Sequence, residues 1–400
     1  MKYLVVLGDG MADKDIEELG NKTPLEYAKT PTMDKYSKMS EIGLVHTIPE
    51  GMTPGSDTAN LSVLGYDPKR YYTGRSPLEA LSIGVDMKAT DVALRCNIVT
   101  VSIDDLPYEE KTIIDHSSSE ISTEDAAILL EAVKKELETD VYKFYVGTSY
   151  RHLTIWDKGE VVDLTAPHDV LGQVIGQYLP KDAALREMMK KSYDILSKHP
   201  INQQRVKDGL NPANSLWFWG AGTRPMLSSF EGKTGKTGAM ISAVDLLKGI
   251  AIGADMKVVE VDGANGGLNT NYEGKADAAV KVLIQDGYDF AYIHIEAPDE
   301  MGHQGNVERK VKAIEYLDER VIKRVIEAFE AKGENFRMIV LPDHPTPIGI
   351  RTHTSDPVPY MLYDSTDKKR HTWNYNEKEA EESGNYIADG HTVINHLFEK

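Results

Sequence analysis

The sequence predicts an α/β protein built on a mostly parallel sheet, with a smaller α+β domain inserted into it. Three observations carry that expectation. From residue 214 onward, strand-like apolar runs alternate with helix-length segments, the pattern of a parallel sheet. The opening run KYLVVLG is continuously apolar, as a strand buried on both faces must be. Between these regions the pattern turns hairpin-like. The expected division is therefore a core of residues 1–87 and 211–400 around an inserted substrate-capping domain of 88–210. A chain of 400 residues is too long for one small core, which agrees with such a division.

Taken in order, the first strand spans Tyr3 to Leu7 and stops at Gly8-Asp9-Gly10. A helix over Thr32 to Met39 and a strand over Leu44 to Ile48 follow. Pro54-Gly55 marks a turn, after which a short helix covers Ala59 to Leu64. SPLEALSIG starts a helix, with Pro77 behind Ser76. DVALRCNIVTVS reads as a strand, and TEDAAILLEAVKKELE as an amphipathic helix with Ser122 and Asp125 spaced as a capping box. KFYVGTSYRHLTIW, DKGE and VVDL read as a hairpin turning at DKGE. Ala183 to Lys198 is a helix. SLWFWGAG, GAMIS, KVVEV, DFAYIHIEA and RMIVLP are strands of the core, interleaved with helices that include Val307 to Ala331.

Composition excludes several classes. Charged residues at 27% and apolar residues at 41% suit a globular chain, and no apolar run approaches the roughly 20 residues of a membrane span. With 45 basic against 63 acidic side chains, the formal charge is -18. No Lys/Arg run offers a nucleic-acid surface. The single cysteine, Cys96, rules out an internal disulfide and a cysteine-rich zinc site. A cytoplasmic protein is expected. Residues 231–238, EGKTGKTG, carry only half of a phosphate-binding P-loop, because Phe230 stands where the first glycine belongs.

Ligands of open α/β sheets collect beyond the carboxyl ends of the strands. Asp9 stands after the first strand, Asp299 and His303 after DFAYIHIEA, and Asp343-His344 after RMIVLP, with His353 nine residues further on. Singly, each reads as a turn residue, a cap or a surface side chain. Together, this carboxylate–imidazole mixture suits Mn²⁺ or Zn²⁺ better than Mg²⁺, and with the hydroxyl of Ser56 it is about what two adjacent divalent ions require. Ser56, at the start of TPGSDTANLSVLGYDP, reads either as a helix cap or as a nucleophile.

The stretches LGDGMAD, TPGSDTANLSVLGYDP, YYTGRSPLEALSIG, EAPDEMGHQG, VLPDHPTPI and RTHTSDPVPY run from residue 7 to 360. In this ordered set the chain resembles the cofactor-independent phosphoglycerate mutases of the archaeal type, of the alkaline phosphatase superfamily. The resemblance implies an alkaline-phosphatase-like core and a phosphoserine formed at Ser56. It implies one metal on Asp9, Ser56, Asp343 and His344 and another on Asp299, His303 and His353. Mn²⁺ is the expected ion, with Zn²⁺, Co²⁺ or Mg²⁺ as alternatives, and neither bisphosphoglycerate nor a nucleotide is required. The expected activity is interconversion of 3- and 2-phosphoglycerate.

A small phosphorylated hydroxy acid, the expected partner, needs cationic side chains. Arg75, His116, Arg151, His152, Arg224, Lys236 and Arg351 are the candidates, Arg75 standing inside the family-like YYTGRSPLEA run. His116 and Arg151-His152 depart from the family pattern. That leaves open a homoserine-kinase-like phosphotransferase or a metal-dependent phosphatase on the same core. A metal-binding protein without turnover fits less well, since it has no use for Ser56. The sequence is compatible with a homo-oligomer.

Overall fold

In chain order the strands are β1 (Lys2–Gly8), β2 (Ser40–Val45), β3 (Val92–Val101), β4 (Ile113–Asp115), β5 (Tyr142–Thr148), β6 (Arg151–Trp156), β7 (Ser215–Thr223), β8 (Gly238–Ile241), β9 (Lys257–Val258), β10 (Phe290–Ile295), β11 (Phe336–Leu341), β12 (Val358–Asp364) and β13 (Tyr386–Ile387). The computed structural model describes residues 1–399. The chain divides into one unit of residues 1–72 with 226 onward, and a second of residues 73–225.

The first unit carries an eight-stranded sheet in the order β13-β2-β12-β11-β1-β10-β8-β9. β1 lies at its centre, parallel to β10 (Leu4↔Ala291) and to β11 (Val5↔Ile339). Only β12 runs against the rest, pairing antiparallel with β11 and β2. Leu4, Val5, Val6 and Leu7 are all at most 1% exposed, so the unbroken apolar run is explained by burial on both faces. Each such side chain contributes roughly 1.5–3 kcal/mol of transfer free energy.

The helices mostly begin where the chain supplies a cap. The Ser122 hydroxyl accepts from Asp125 N at 3.1 Å to open Thr123–Leu137, and the Asp182 carboxylate accepts from Leu185 N at 2.9 Å to open Ala183–Leu196. The expected helix over 307–331 is present, but its middle widens into a π-type segment, Leu317–Ile322, before the helix ends at Gly333 with φ 65°. Among the described residues no helix is long and apolar enough to cross a membrane.

In the second unit β3 pairs antiparallel with β4, β6 and β7, and β6 with β5. Here the structure departs from the sequence expectation twice. β7, the SLWFWGAG run, joins this sheet (Cys96↔Phe218) and leaves the core, and the helix Arg75–Ser82 goes with it. The second unit thus spans 73–225, where the sequence suggested 88–210. An apolar run records that a strand is buried but not which strand it pairs with, so its membership was not legible. The hairpin turns at Ser149, with φ 55°, between β5 and β6; residues 161–164 (VVDL) form no strand, and Val162 and Leu164 pack against the unit's hydrophobic core. Residues 231–238 hold a short helix, Phe230–Thr234, ahead of β8, whereas a P-loop requires the strand first.

Candidate active site

The carboxyl ends of β1, β10 and β11, with the loop entering β12 and the helix Ser56–Val63, bring together all seven residues expected to bind metal: Asp9, Ser56, Asp299, His303, Asp343, His344 and His353. Asp9 follows β1 directly. Gly10, at φ 59°, turns the chain away, and a Cβ there would lie 2.7 Å from Asp299 Oδ1 and 2.8 Å from Asp299 Cα. A side chain at this position would meet both the dihedral penalty and a clash.

Ser56 is the first residue of its helix. The N-cap is Gly55, which makes no side-chain cap bond. The Ser56 hydroxyl instead lies 3.1 Å from His344 Nε2 and 3.5 Å from Asp9 Oδ2. His344 Nδ1 faces Pro345 O at 3.3 Å, so it carries the hydrogen and Nε2 keeps its lone pair. Asp343 accepts at Oδ1 from Gly10 N (3.1 Å) and His344 N (2.9 Å), and at Oδ2 from Asn60 Nδ2 (2.9 Å). Asn60 Oδ1 in turn accepts from the Tyr292 hydroxyl at 2.5 Å.

The second cluster is contiguous with the first. Asp299 lies 3.2 Å from His303 Nε2 through Oδ2 and 3.3 Å from His353 Nε2 through Oδ1, and its Oδ1 also accepts from the Thr346 hydroxyl at 2.5 Å. The His344 and His353 rings are 4.0 Å apart between centroids. His303 Nδ1 donates to Arg351 O at 3.0 Å, and its Nε2, which faces Asp299, also lies 3.0 Å from His353 Nε2. Two imidazole nitrogens that close need a shared proton or cation between them. Arg351 was expected to bind substrate through its guanidinium; its carbonyl is the group recorded at the site, on a backbone with φ 55°.

The charge balance explains what the site can hold. Burial, then the Asp343 and Asp299 carboxylates, push Asp9 well above the usual carboxylate range. Burial acts the same way on Asp299, but hydrogen bonds from His303 and His353 hold it well below that range. The hydrogen bond to Asp299 lifts His303 to about 9. Asp9 Oδ1 is buried with no partner, an orphaned acceptor amid three carboxylates. Two groups have ligand atoms within 4.8 Å of one another, Asp9–Asp343–His344 and Asp299–His344–His353. This donor set fits divalent cations: hard oxygens and imidazoles, an uncompensated acceptor, and negative charge confined to a buried space.

The remaining candidates fall elsewhere. In the second unit, His116 stands 5.7 Å from the Tyr150 ring and 6.1 Å from that of His168, while His168 is 5.3 Å from Trp219. Arg151 lies over Tyr150 and Arg95 over Trp219, with Trp219 Nε1 donating to Asn97 at 3.1 Å. Arg75 and Arg95 both engage Glu79. Sequence reasoning missed Arg95, Asn97 and His168; strand alternation would have placed Arg95 and Asn97 on one face with Arg151, but nothing marks His168. His152 points the other way from Arg151, 2% exposed, with Nδ1 accepting from Gly147 N. It is a core residue because β6 alternates. Arg224 donates to Met87 O at 2.7 Å, within its own unit. Lys236 sits over the rings of Tyr3 and Phe398, at the start of β1, roughly 20 Å along the strand from Asp9.

Comparison with known proteins agrees with this geometry. Residues 37–202 match the family model described as 2,3-bisphosphoglycerate-independent phosphoglycerate mutase. A protein of that description from Methanosarcina acetivorans is 49% identical over 368 residues, 91% of this chain and 90% of its own length. A probable one from Geobacter sulfurreducens is 45% identical over the full length of both chains. A solved structure of a Pyrococcus horikoshii protein superposes with a TM-score of 0.83 at 31% identity, covering 100% of this chain and 96% of that one. By sequence, fold and the clustering of these side chains, the chain belongs to the 2,3-bisphosphoglycerate-independent phosphoglycerate mutase family.

Proposed function

We propose that the chain interconverts 3-phosphoglycerate and 2-phosphoglycerate through a phosphoryl group carried on Ser56 Oγ. The observation that carries the reading is the position of that hydroxyl. It performs no capping, stands at a helix N-terminus, and lies 3.1 Å from His344 Nε2 and 3.5 Å from Asp9. The helix N-terminus favours the negative phosphoryl group placed there.

Asp9, Ser56, Asp343 and His344 would hold one divalent cation, and Asp299, His303 and His353 the other. This donor set suits Mn²⁺ or Zn²⁺; Mn²⁺ is the ion the family resemblance favours, with Zn²⁺, Co²⁺ or Mg²⁺ as alternatives. Such ions supply Lewis acidity, lowering the pKa of a serine hydroxyl and neutralising charge on the phosphoryl oxygens. The protein's own groups set the geometry: Asn60, Gly10 N and His344 N hold Asp343, Thr346 holds Asp299, and the Arg351 carbonyl holds His303. Ser56 Oγ attacks phosphorus, the bond from phosphorus to the glycerate oxygen breaks, and the reverse step onto the other hydroxyl completes the exchange. His116, Arg151, His168 and Arg95, in the second unit, are of the type that recognises a carboxylate. A cytoplasmic location suits a glycolytic reaction and an unpaired, buried Cys96.

The test is ³¹P NMR of Mn²⁺-loaded protein with 3-phosphoglycerate and no nucleotide. The expected result is 2-phosphoglycerate at constant total ester. Release of inorganic phosphate would identify a phosphatase, and transfer only with ATP and homoserine would identify a kinase.

A further inference from the structure

We infer that His294 is a positioning residue for Asp9: with Ser242 it selects the carboxylate oxygen that Asp9 presents to the cation cluster. The inference rests on the two-cation reading above and concerns residues outside both ligand sets. β10 lies between β1 and β8, with Leu7 opposite His294 and Ile241 opposite Ile293. His294 therefore sits beside the end of β1, where Asp9 follows, and beside the end of β8, where Ser242 follows. It is 0% exposed inside a strand whose every residue is buried. An apolar side chain would pack there without any demand for hydrogen bonds, whereas a buried imidazole requires partners for both nitrogens.

Both partners are present, and together they set the tautomer. His294 Nε2 is 2.8 Å from Asp9 Oδ2, and Nδ1 is 3.1 Å from Ser242 Oγ. As a cation ligand Asp9 is ionised and only accepts, so Nε2 carries the hydrogen and Nδ1 must accept. Ser242 can supply that hydrogen because its oxygen already takes the Val244 N–H at 3.0 Å. The chain of donors runs from Val244 N–H through the Ser242 hydroxyl to His294 Nδ1, and from Nε2–H to Asp9 Oδ2. The consequence is asymmetry at Asp9: Oδ2 is committed, while Oδ1 is buried, unpartnered and 3.5 Å from His344 Nε2. Without the imidazole the carboxylate is free to rotate, and the oriented acceptor is lost. Hydrogen bonds of this kind to a ligating group are typically worth 10–100-fold in metal affinity.

The test is Mn²⁺ titration of the full-length protein, read by EPR and calorimetry, beside the melting temperature of the metal-free protein. Asp9→Asn identifies which of the two binding events belongs to Asp9. His294→Leu should weaken that event by about 10–100-fold and leave the other unchanged. Ser242→Ala, a smaller change, should weaken it by about tenfold with the metal-free melting temperature held. His294→Gln keeps an N–H donor near the position of Nε2 and should recover most of the affinity. A purely packing role would lower the melting temperature and leave the affinities alone, with Leu tolerated better than Gln; that pattern overturns the inference and leaves the proposed function standing. If His294→Leu fails to fold, wild-type affinity in Ser242→Ala overturns it by itself. A wild-type protein that binds no Mn²⁺ at the Asp9 event would refute the two-cation reading, and the inference with it.

Discussion

At the carboxyl edge of the large sheet, Asp343 is held by three donors, Asp299 by a hydroxyl and two imidazoles, and His303 by a backbone carbonyl. On the small unit's sheet, Arg95 and Arg151 lie over aromatic rings, and His116 and His168 meet Tyr150 and Trp219 edge-on. The first region is fully buried at Asp343 and His344, whereas in the second His168 and Arg151 are exposed. Hydrogen bonds to both oxygens of a carboxylate leave it one orientation; rings and guanidinium planes in contact permit several. A phosphoryl group moving between fixed oxygens needs the first kind of site.

Ser56→Ala would break the comparison most severely. Removing the nucleophile should lower turnover by roughly 10⁴-fold or more. Melting temperature should hold, since the hydroxyl makes no cap; a coupled assay returning activity within tenfold of wild type would sink the nucleophile assignment. Gly10→Ala should come next. The left-handed conformation alone costs about 1–2 kcal/mol, and the added Cβ presses on Asp299, so Mn²⁺ affinity should fall more than tenfold. An unchanged affinity would show that the rigid region tolerates movement.

The small unit should respond differently. Arg151→Ala should raise KM for 3-phosphoglycerate about 10–100-fold, the worth of one charged hydrogen bond, with Mn²⁺ affinity unchanged. A change in metal affinity with KM preserved would reverse the assignment of the two regions.

The smallest effect is on stability. Burial holds His152 down to about 4, against an ordinary value of 6.5. Between those values the unfolded chain binds a proton that the native chain does not. The contribution is therefore fully present above pH 6.5 and is lost as pH falls toward 4. From pH 7 to pH 5 the loss should approach roughly 2 kcal/mol, and His152→Leu should flatten that slope in urea titrations.

Much of the large unit could be read in the sequence because its chemistry follows strand ends. Asp9 after KYLVVLG and Asp343-His344 after RMIVLP declare their positions through an apolar run that stops at a polar residue. The small unit declared less. Arg95 and Asn97 are single polar residues in a run that reads as a strand core, and His168 lies in a four-residue 3₁₀ helix, Pro167–Val170, too short to show a periodicity. Lys236 drew attention for its GKTG context, yet the helix before it and β8 after it carry it to the opposite edge of the sheet.

What the sequence by itself determined was local: which runs are buried strands, where they end, which residue types stand at those ends, and that Ser56 follows a turn. These depend on side-chain polarity and on dihedral preferences within a few residues. Tertiary structure alone decided that β7 pairs with β3, that His152 faces the core while Arg151 does not, and that His294 meets Asp9 across neighbouring strands. Pairing and register depend on which surfaces find each other over long separations along the chain, and a one-residue change in register turns every side chain to the other face.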